Sequence, residues 1–253
     1  MNDNLTELVV VVDKSGSMGS VRNDAIGGFN VFLDAQKKAP GDARMTIVLF
    51  DTTFAFYAAN VDVQSVKNFD DTSYVPNGGT ALYDAVGKTI DEIGKKLAAM
   101  KEEDRPAKVI FAILTDGEEN SSHSYSGGKV KDMIAKQRDV YKWDFVFLAA
   151  GEGAFKEAEA MGMARGKMMK FANSGENQSK SYDSLTSYVS NSRGMDASSY
   201  ALFSKSVNLQ SAFDGTEDLT ALADKIKAAA IDAKKTPPKK EEKTPATPEA
   251  PKP

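Results

Sequence analysis

The chain has 253 residues, of which 41% are hydrophobic, enough for one large domain or for one domain with appendages. Its 32 basic and 36 acidic residues give a net charge of −4, and no basic stripe supports nucleic-acid binding. The absence of cysteine excludes disulfides, thiolate metal sites and cysteine nucleophiles. Because the sequence shows neither a secretory leader nor the ~20 consecutive apolar residues that span a bilayer, we expect a cytoplasmic protein outside the membrane.

Apolar runs alternate with segments of helical periodicity along most of the chain. The clearest helix begins near Thr80, because Leu82, Val86 and Ile90 recur at helical spacing. The short connection at 51–53 predicts an antiparallel hairpin between the second and third strands. In chain order, we predict a strand over 8–12, a helix over 20–38, strands over 45–50 and 53–57, a helix over 80–100, a strand over 109–114, a helix over 129–141, a strand over 145–149, a helix over 154–161, a strand over 167–171 and a helix over 182–190.

This alternation predicts an α/β fold. Strands that alternate with helices pair in parallel through right-handed crossovers, with helices on both faces. We therefore expect a doubly wound, mostly parallel central sheet with one antiparallel edge strand. In such sheets, ligands bind at the carboxyl ends of the strands.

The C-terminal part has a different composition. We place the α/β domain at 5–192 and a C-terminal extension at 193–231, in which the sequence predicts one helix over 216–231. Residues 232–253 consist largely of Pro, Lys, Glu, Thr and Ala and cannot bury enough apolar surface to offset the entropy lost on ordering. We predict that this segment is a disordered tail.

Three loops at the predicted carboxyl edge carry oxygen ligands. The first strand is followed by Asp13, Ser15 and Ser17, with Gly16 allowing a sharp turn between the hydroxyls. Thr80 follows two glycines at the start of the strong helix, and Asp116 follows the strand over 109–114. Hard cations such as Mg²⁺ prefer oxygen ligands, and these five side chains would leave one octahedral position open. The other interpretation of the two serines is ordinary turn and helix-capping chemistry.

The same five residues resemble the metal-ion-dependent adhesion site of von Willebrand factor A domains. That family has Asp-x-Ser-x-Ser, then a distant Thr, then a distant Asp. Here these residues are Asp13, Ser15, Ser17, Thr80 and Asp116, in family order, and the resemblance extends over about residues 5–190.

The resemblance implies a Rossmann-like sheet and a site for one Mg²⁺, with Mn²⁺ or Ca²⁺ as possible substitutes. It also implies a protein-interaction module rather than an enzyme. In that case a Glu or Asp of another protein completes the coordination of the ion. The sequence sets no oligomeric state.

Two alternatives remain open. A Mg²⁺-dependent phosphohydrolase would use Asp13 as the nucleophile, although such enzymes usually carry a second acid where this chain has Ser15. A scaffold without metal would bind partners through the C-terminal segment. Binding that survives chelation of Mg²⁺ would favour the scaffold, and turnover of phosphate esters would favour the enzyme.

Overall fold

The structure, a computed structural model, describes residues 1–235 and contains one six-stranded sheet. The strand order is β3-β2-β1-β4-β5-β6. The strands are β1 (Asn2–Asp13), β2 (Asp42–Phe50), β3 (Phe54–Asp62), β4 (Pro106–Thr115), β5 (Asp144–Ala150) and β6 (Met168–Phe171). The helices are α1 (Arg22–Lys38), α2 (Leu82–Ala99), α3 (Gly127–Asp139), α4 (Glu152–Ala160), α5 (Gly175–Arg193), α6 (Ala197–Ser206), α7 (Leu209–Phe213) and α8 (Leu219–Lys235).

The sheet has the predicted topology. β1 pairs in parallel with β2 and β4, and β4-β5 and β5-β6 are also parallel. Only β3 runs antiparallel, to β2, as the short connection between them predicts. The doubly wound, mostly parallel sheet with one antiparallel edge strand is therefore confirmed.

Both faces of the central strand are buried. Leu8 and Val10 of β1 lie in a core shared with α1 and α5, whereas Val9 and Val11 lie in a second core shared with α2 and α3. A strand covered on both faces is apolar almost continuously, which is why the run at 8–12 is informative. The pairing continues toward the N-terminus through polar residues such as Glu7, so β1 is longer than predicted.

The carboxyl ends of β1 and β4 meet at a switch point of the sheet. From β1 the chain passes through α1 on one face to β2, and from β3 it passes through α2 on the other face to β4. The two crossovers therefore leave β1 and β4 in opposite directions, and a crevice opens between their carboxyl ends. The loops after Asp13 and Thr115 both begin at this crevice.

The C-terminal extension is more helical than predicted. Instead of one helix over 216–231, the structure has α6, α7 and α8, and α8 continues to Lys235. Phe203, Leu209 and Leu219 join the core that contains Leu8 of β1. The rest of the predicted disordered tail, 236–253, lies outside the described residues. Within residues 1–235, no helix combines the length and the apolar character that crossing a membrane requires.

Candidate metal centre

Asp13 ends β1 as a fully buried carboxylate. Its side chain is 0% exposed. One oxygen, Oδ1, accepts a hydrogen bond of 2.7 Å from the backbone N–H of Ser15, and the other accepts one from the hydroxyl of Thr115. The Tyr74 hydroxyl donates to the backbone carbonyl of Asp13. These bonds fix the carboxylate at the carboxyl edge of the sheet.

A chain of hydroxyl groups connects the first loop with Asp116. The hydroxyls of Ser15 and Ser17 lie 3.1 Å apart, and the Ser17 hydroxyl donates to Asp116 Oδ1 at 2.6 Å. Ser15 is buried, Asp116 is partly buried and Ser17 is exposed. Four of the five predicted ligands are therefore joined by hydrogen bonds. The bond between Ser17 and Asp116 connects two loops across a sequence separation of 99.

Thr80 lies beside this chain without being bonded to it through its side chain. A Cβ atom built on Gly117 would lie only 2.8 Å from Thr80 Oγ1, so the hydroxyl faces the main chain directly after Asp116. Among the described residues, none makes a hydrogen bond to that hydroxyl. Its backbone is fixed, since Thr80 N donates to Asn120 Oδ1 at 2.8 Å and Thr80 O accepts from Asn120 N at 3.0 Å.

Glycines allow the loop after β1 and the loop before Thr80 to approach each other closely. The N–H of Gly16 donates to the carbonyl of Gly78 at 3.0 Å, and Asn77 N donates to Lys14 O at 2.8 Å. Gly78 has φ +67°, a conformation that disfavours other residues. The loop that leads to Thr80 is thereby tied to the loop that carries the two serines.

The structure adds a residue that the sequence interpretation missed. Asn173, directly after β6, donates from Nδ2 to Asp116 Oδ2 at 2.8 Å. Both oxygens of Asp116 therefore have a donor, because Ser17 bonds the other one. The only sequence signal was its position, two residues beyond the strand end, since an asparagine after a strand is common in turns.

Among the described residues, no basic side chain pairs with either of the two buried carboxylates. Burial raises the pKa of Asp13 to about 6, with the charge of Asp116 adding to the effect while the hydrogen bonds oppose it. Burial also raises the pKa of Asp116. Lys14 follows Asp13 directly, but its ammonium pairs with Asp51. The arrangement thus concentrates negative charge without an internal counter-charge.

The donor set fits a hard cation and does not fit a soft one. Within residues 1–235, no group of three or more His, Cys, Asp or Glu side chains could hold a metal ion. A cation at this edge would therefore depend on hydroxyl oxygens beside two carboxylates. Oxygen-only sets suit Mg²⁺, Mn²⁺ and Ca²⁺. That Asp13, Ser15, Ser17, Thr80 and Asp116 bind an ion together stays a prediction.

Comparison with known proteins gives matches at the level of structure. No protein-family model matches the sequence, and no curated protein matches it. Proximal thread matrix protein 1 from the mussel byssus, in a structure with a zinc-occupied MIDAS (metal-ion-dependent adhesion site) motif, superposes with a TM-score of 0.51 at 15% identity, covering 73% of this chain and 46% of that one. Another crystal form of that protein gives 0.50 at 14% identity, covering 74% and 46%.

A von Willebrand factor type A protein from Catenulispora acidiphila is also similar, with a TM-score of 0.49 at 16% identity, covering 72% of this chain and 42% of that one. The present chain thus spans less than half the length of these structures. Identities this low establish the fold alone. With the strand order and the antiparallel edge pair, the superpositions on the byssus protein confirm the doubly wound fold that the resemblance implies.

Proposed function

We propose that this protein is a divalent-cation-dependent protein-interaction module. Asp13, Ser15, Ser17, Thr80 and Asp116 hold the ion, which is Mg²⁺ in the first instance and Mn²⁺ or Ca²⁺ as alternatives. A Glu or Asp side chain of a partner protein supplies the sixth ligand. The observation that carries the proposal is the continuous set of oxygens that joins the ends of β1 and β4.

The charge of the site supports a partner carboxylate. Asp13 and Asp116 together carry two negative charges, which balance a divalent cation, while the three hydroxyls add none. An ion with neutral hydroxyl ligands retains a strong attraction for a further anion. A partner carboxylate would also displace water from a site that is partly buried, which strengthens its attraction to the ion.

The similar structures support a metal at this position. The superposed byssus protein has a zinc-occupied MIDAS motif, so this fold can carry a divalent ion at such a motif. None of the five proposed ligands is His or Cys. We therefore expect preference for Mg²⁺ or Mn²⁺ over zinc here, because zinc sites favour nitrogen and sulfur ligands.

Isothermal titration calorimetry tests the metal step. We expect saturable binding of one Mg²⁺ per chain, lost in Asp13→Ala and Thr80→Ala. Asp132→Asn removes an exposed carboxylate on α3, away from the carboxyl edge of the sheet, and should bind Mg²⁺ like the unmodified chain. Equal loss in all three variants would point to unfolding, and circular dichroism separates that case from loss of the site.

A second titration tests the partner step. An immobilised set of peptides that differ only by Glu, Gln, Asp or Asn at the centre should bind the Mg²⁺-loaded chain through the acidic members alone. Chelation of the metal should release them. Binding that ignores either the acid or the metal would contradict the proposal and favour a metal-independent scaffold.

The proposal is of a binding site rather than an enzyme. A phosphohydrolase that used Asp13 as its nucleophile would usually carry a second acid as its general acid. No acid stands two residues further on, where Ser15 lies. We expect no Mg²⁺-dependent release of phosphate from a panel of phosphate esters, measured by colorimetric phosphate assay.

A further inference from the structure

The chain has a single Asn-Gly sequence, and it lies in the loop before Thr80. Asn77 and Gly78 are both exposed. Two hydrogen bonds tie this dipeptide to the loop after β1. Asn77 N donates to Lys14 O, and Gly78 O accepts from Gly16 N. A chemical change between these two anchor points would therefore be transmitted to the neighbouring loop.

The groups that react in asparagine deamidation are both free at this sequence. The side-chain amide of Asn77 and the backbone N–H of Gly78 make no hydrogen bond to any residue in the described range 1–235. Glycine has no Cβ to shield its backbone nitrogen from the side-chain carbonyl. Water reaches both residues because they are exposed.

The two Asn-Ser sequences near the same edge provide an internal contrast. At Asn120, Oδ1 accepts from Thr80 N, and the following Ser121 N donates to Glu119 at 2.9 Å. At Asn173, Nδ2 donates to Asp116, and the following backbone N–H donates to Ala172 O at 2.8 Å. At both sequences the side-chain amide and the attacking backbone N–H are therefore already hydrogen-bonded, whereas at Asn77 both are free within residues 1–235.

We propose that Asn77 is a deamidation site that remodels the loop next to Thr80. The Gly78 backbone nitrogen attacks the side-chain carbonyl carbon of Asn77 and gives up its proton, and ammonia leaves, which closes a succinimide ring. Water then opens the ring at either carbonyl to give aspartate or isoaspartate. The net change consumes one water and releases one ammonia, with no oxidation or reduction.

The products differ in what they do to the loop. Aspartate adds a negative charge and keeps the length of the main chain. Isoaspartate adds the charge and also inserts a methylene group into the main chain between the Asn77 N–Lys14 O and Gly16 N–Gly78 O bonds. Both bonds cannot be kept with the longer chain, so Thr80, two residues later, moves.

Peptide mapping by mass spectrometry of the full chain, aged at mildly alkaline pH without divalent metal, tests the reaction. We expect conversion at Asn77 to be several-fold faster than at Asn120 or Asn173, with isoaspartate detected by an isoaspartyl methyltransferase. The variant Asn77→Gln should show no conversion at this position, because the larger ring closes slowly. A rate at Asn77 equal to or below those at the two Asn-Ser sequences would overturn the proposal.

The effect on the loop has its own test. Isoaspartate-77 chain, separated by ion exchange, should bind Mg²⁺ about tenfold more weakly than fresh chain, as expected when the support of a ligand is disturbed. Asn77→Gln, aged in the same way, should keep the affinity of its fresh form. Unchanged affinity in the isoaspartate form would overturn the remodelling. Absence of Mg²⁺ binding in fresh chain would instead reject the proposed function and leave the deamidation rate as a separate result.

Discussion

One buried aspartate lies at the amino ends of the strands and another lies at their carboxyl ends. The two differ in the charge of the side chains around them. Asp144 begins β5, at the amino edge, and its Oδ2 accepts from Lys167 Nζ at 3.0 Å, Tyr200 OH at 3.1 Å and Ser204 Oγ at 2.9 Å. Asp13 ends β1, at the carboxyl edge, and its carboxylate accepts from the backbone N–H of Ser15 and the hydroxyl of Thr115. Within residues 1–235, the carboxylate of Asp144 is therefore bonded to a basic side chain, and that of Asp13 is not.

This difference separates a structural cluster from a candidate binding site. Burial lowers the pKa of Lys167, and the charge of Asp144 opposes that shift. The Asp144 cluster connects β5 with α5 and α6 through Tyr188 and Tyr200, which places it inside the fold rather than on its surface. Within residues 1–235, no basic side chain is bonded to Asp13, and in the proposed function an external cation stabilises its charge.

Removing one partner of the internal pair should give the largest effect on stability. Asp144→Asn leaves the Lys167 ammonium buried without its carboxylate, and we expect a loss of about 3–5 kcal/mol in the free energy of unfolding. Urea denaturation followed by circular dichroism measures it. Glu152→Gln, which breaks the exposed pair with Lys170, is the matched control and should change stability little. A loss that Mg²⁺ reverses would contradict the purely internal role of Asp144.

The equivalent change at the other edge should act mainly through the metal. At saturating Mg²⁺, about 100 times its dissociation constant, the unmodified chain should gain about 2.7 kcal/mol. Asp13→Asn should lose this gain, yet without metal its stability at neutral pH should rise by about 1 kcal/mol because a buried charge is removed. The amide can still accept from Ser15 N and donate to Thr115.

Urea denaturation of Asp13→Asn with and without Mg²⁺ measures both parts. A variant that is destabilised in both conditions would show that the Asp13 charge serves the fold, as the Asp144 charge does.

Glu7, a third buried carboxylate, should make stability depend on pH. It accepts from Thr46 Oγ1 at 2.9 Å and Asn60 Nδ2 at 2.6 Å, and burial raises its pKa to about 7. Because the folded state binds this proton more tightly than the unfolded state, whose Glu pKa is 4.5, the contribution of Glu7 to stability is fully present below pH 4.5 and is lost as pH rises through about 7. We expect a loss of about 2 kcal/mol as pH rises through 7.

The variant Glu7→Gln isolates this effect. Burial of Asp13 gives a slope of the same sign near its pKa of about 6, so the difference between the two chains is the quantity to measure. Denaturation midpoints in metal-free buffer should converge at low pH and separate above neutrality. Parallel curves throughout would contradict a raised Glu7 pKa in the folded state.

The smallest expected effect concerns Asn173 and its bond to Asp116. Asn173→Ala should weaken Mg²⁺ binding about tenfold, since residues that orient a ligand usually matter less than the ligands themselves. Asn177→Ala, on the first turn of α5, where the side-chain amide donates to Ser174 Oγ at 3.0 Å, is the matched control. Calorimetry measures both, and equal affinities would show that Asp116 needs no support from the β6 end.

The sequence was sufficient for the architecture because its strongest signals are local. Apolar runs and helical spacing predicted the mostly parallel sheet, and the short turn after Phe50 predicted the antiparallel edge. The three oxygen-bearing loops were also local patterns, each at the end of a strand or the start of a helix. The topology brings these loops together, because the carboxyl ends of parallel strands lie at the same edge of the sheet. Alternating strands and helices in the sequence imply that topology.

The missed features depend on tertiary contacts or on weak signals. Asn173 bonds Asp116 across a separation of 57 residues, which no periodicity reveals. Helices α6 and α7 were missed because few apolar residues mark them. Their N-caps were the available signal, since Asp196 accepts from Ser199 N at 2.8 Å and Asn208 accepts from Ser211 N at 3.2 Å.

The most direct test of the central claim is a crystal structure with Mn²⁺ and its anomalous difference map. The account predicts one strong peak between the carboxylates of Asp13 and Asp116, within coordination distance of the hydroxyls of Ser15, Ser17 and Thr80. It also predicts no peak beside Asp144, where Lys167 already supplies the positive charge. A map without a peak at the carboxyl edge, or with the ion bound elsewhere, would contradict it.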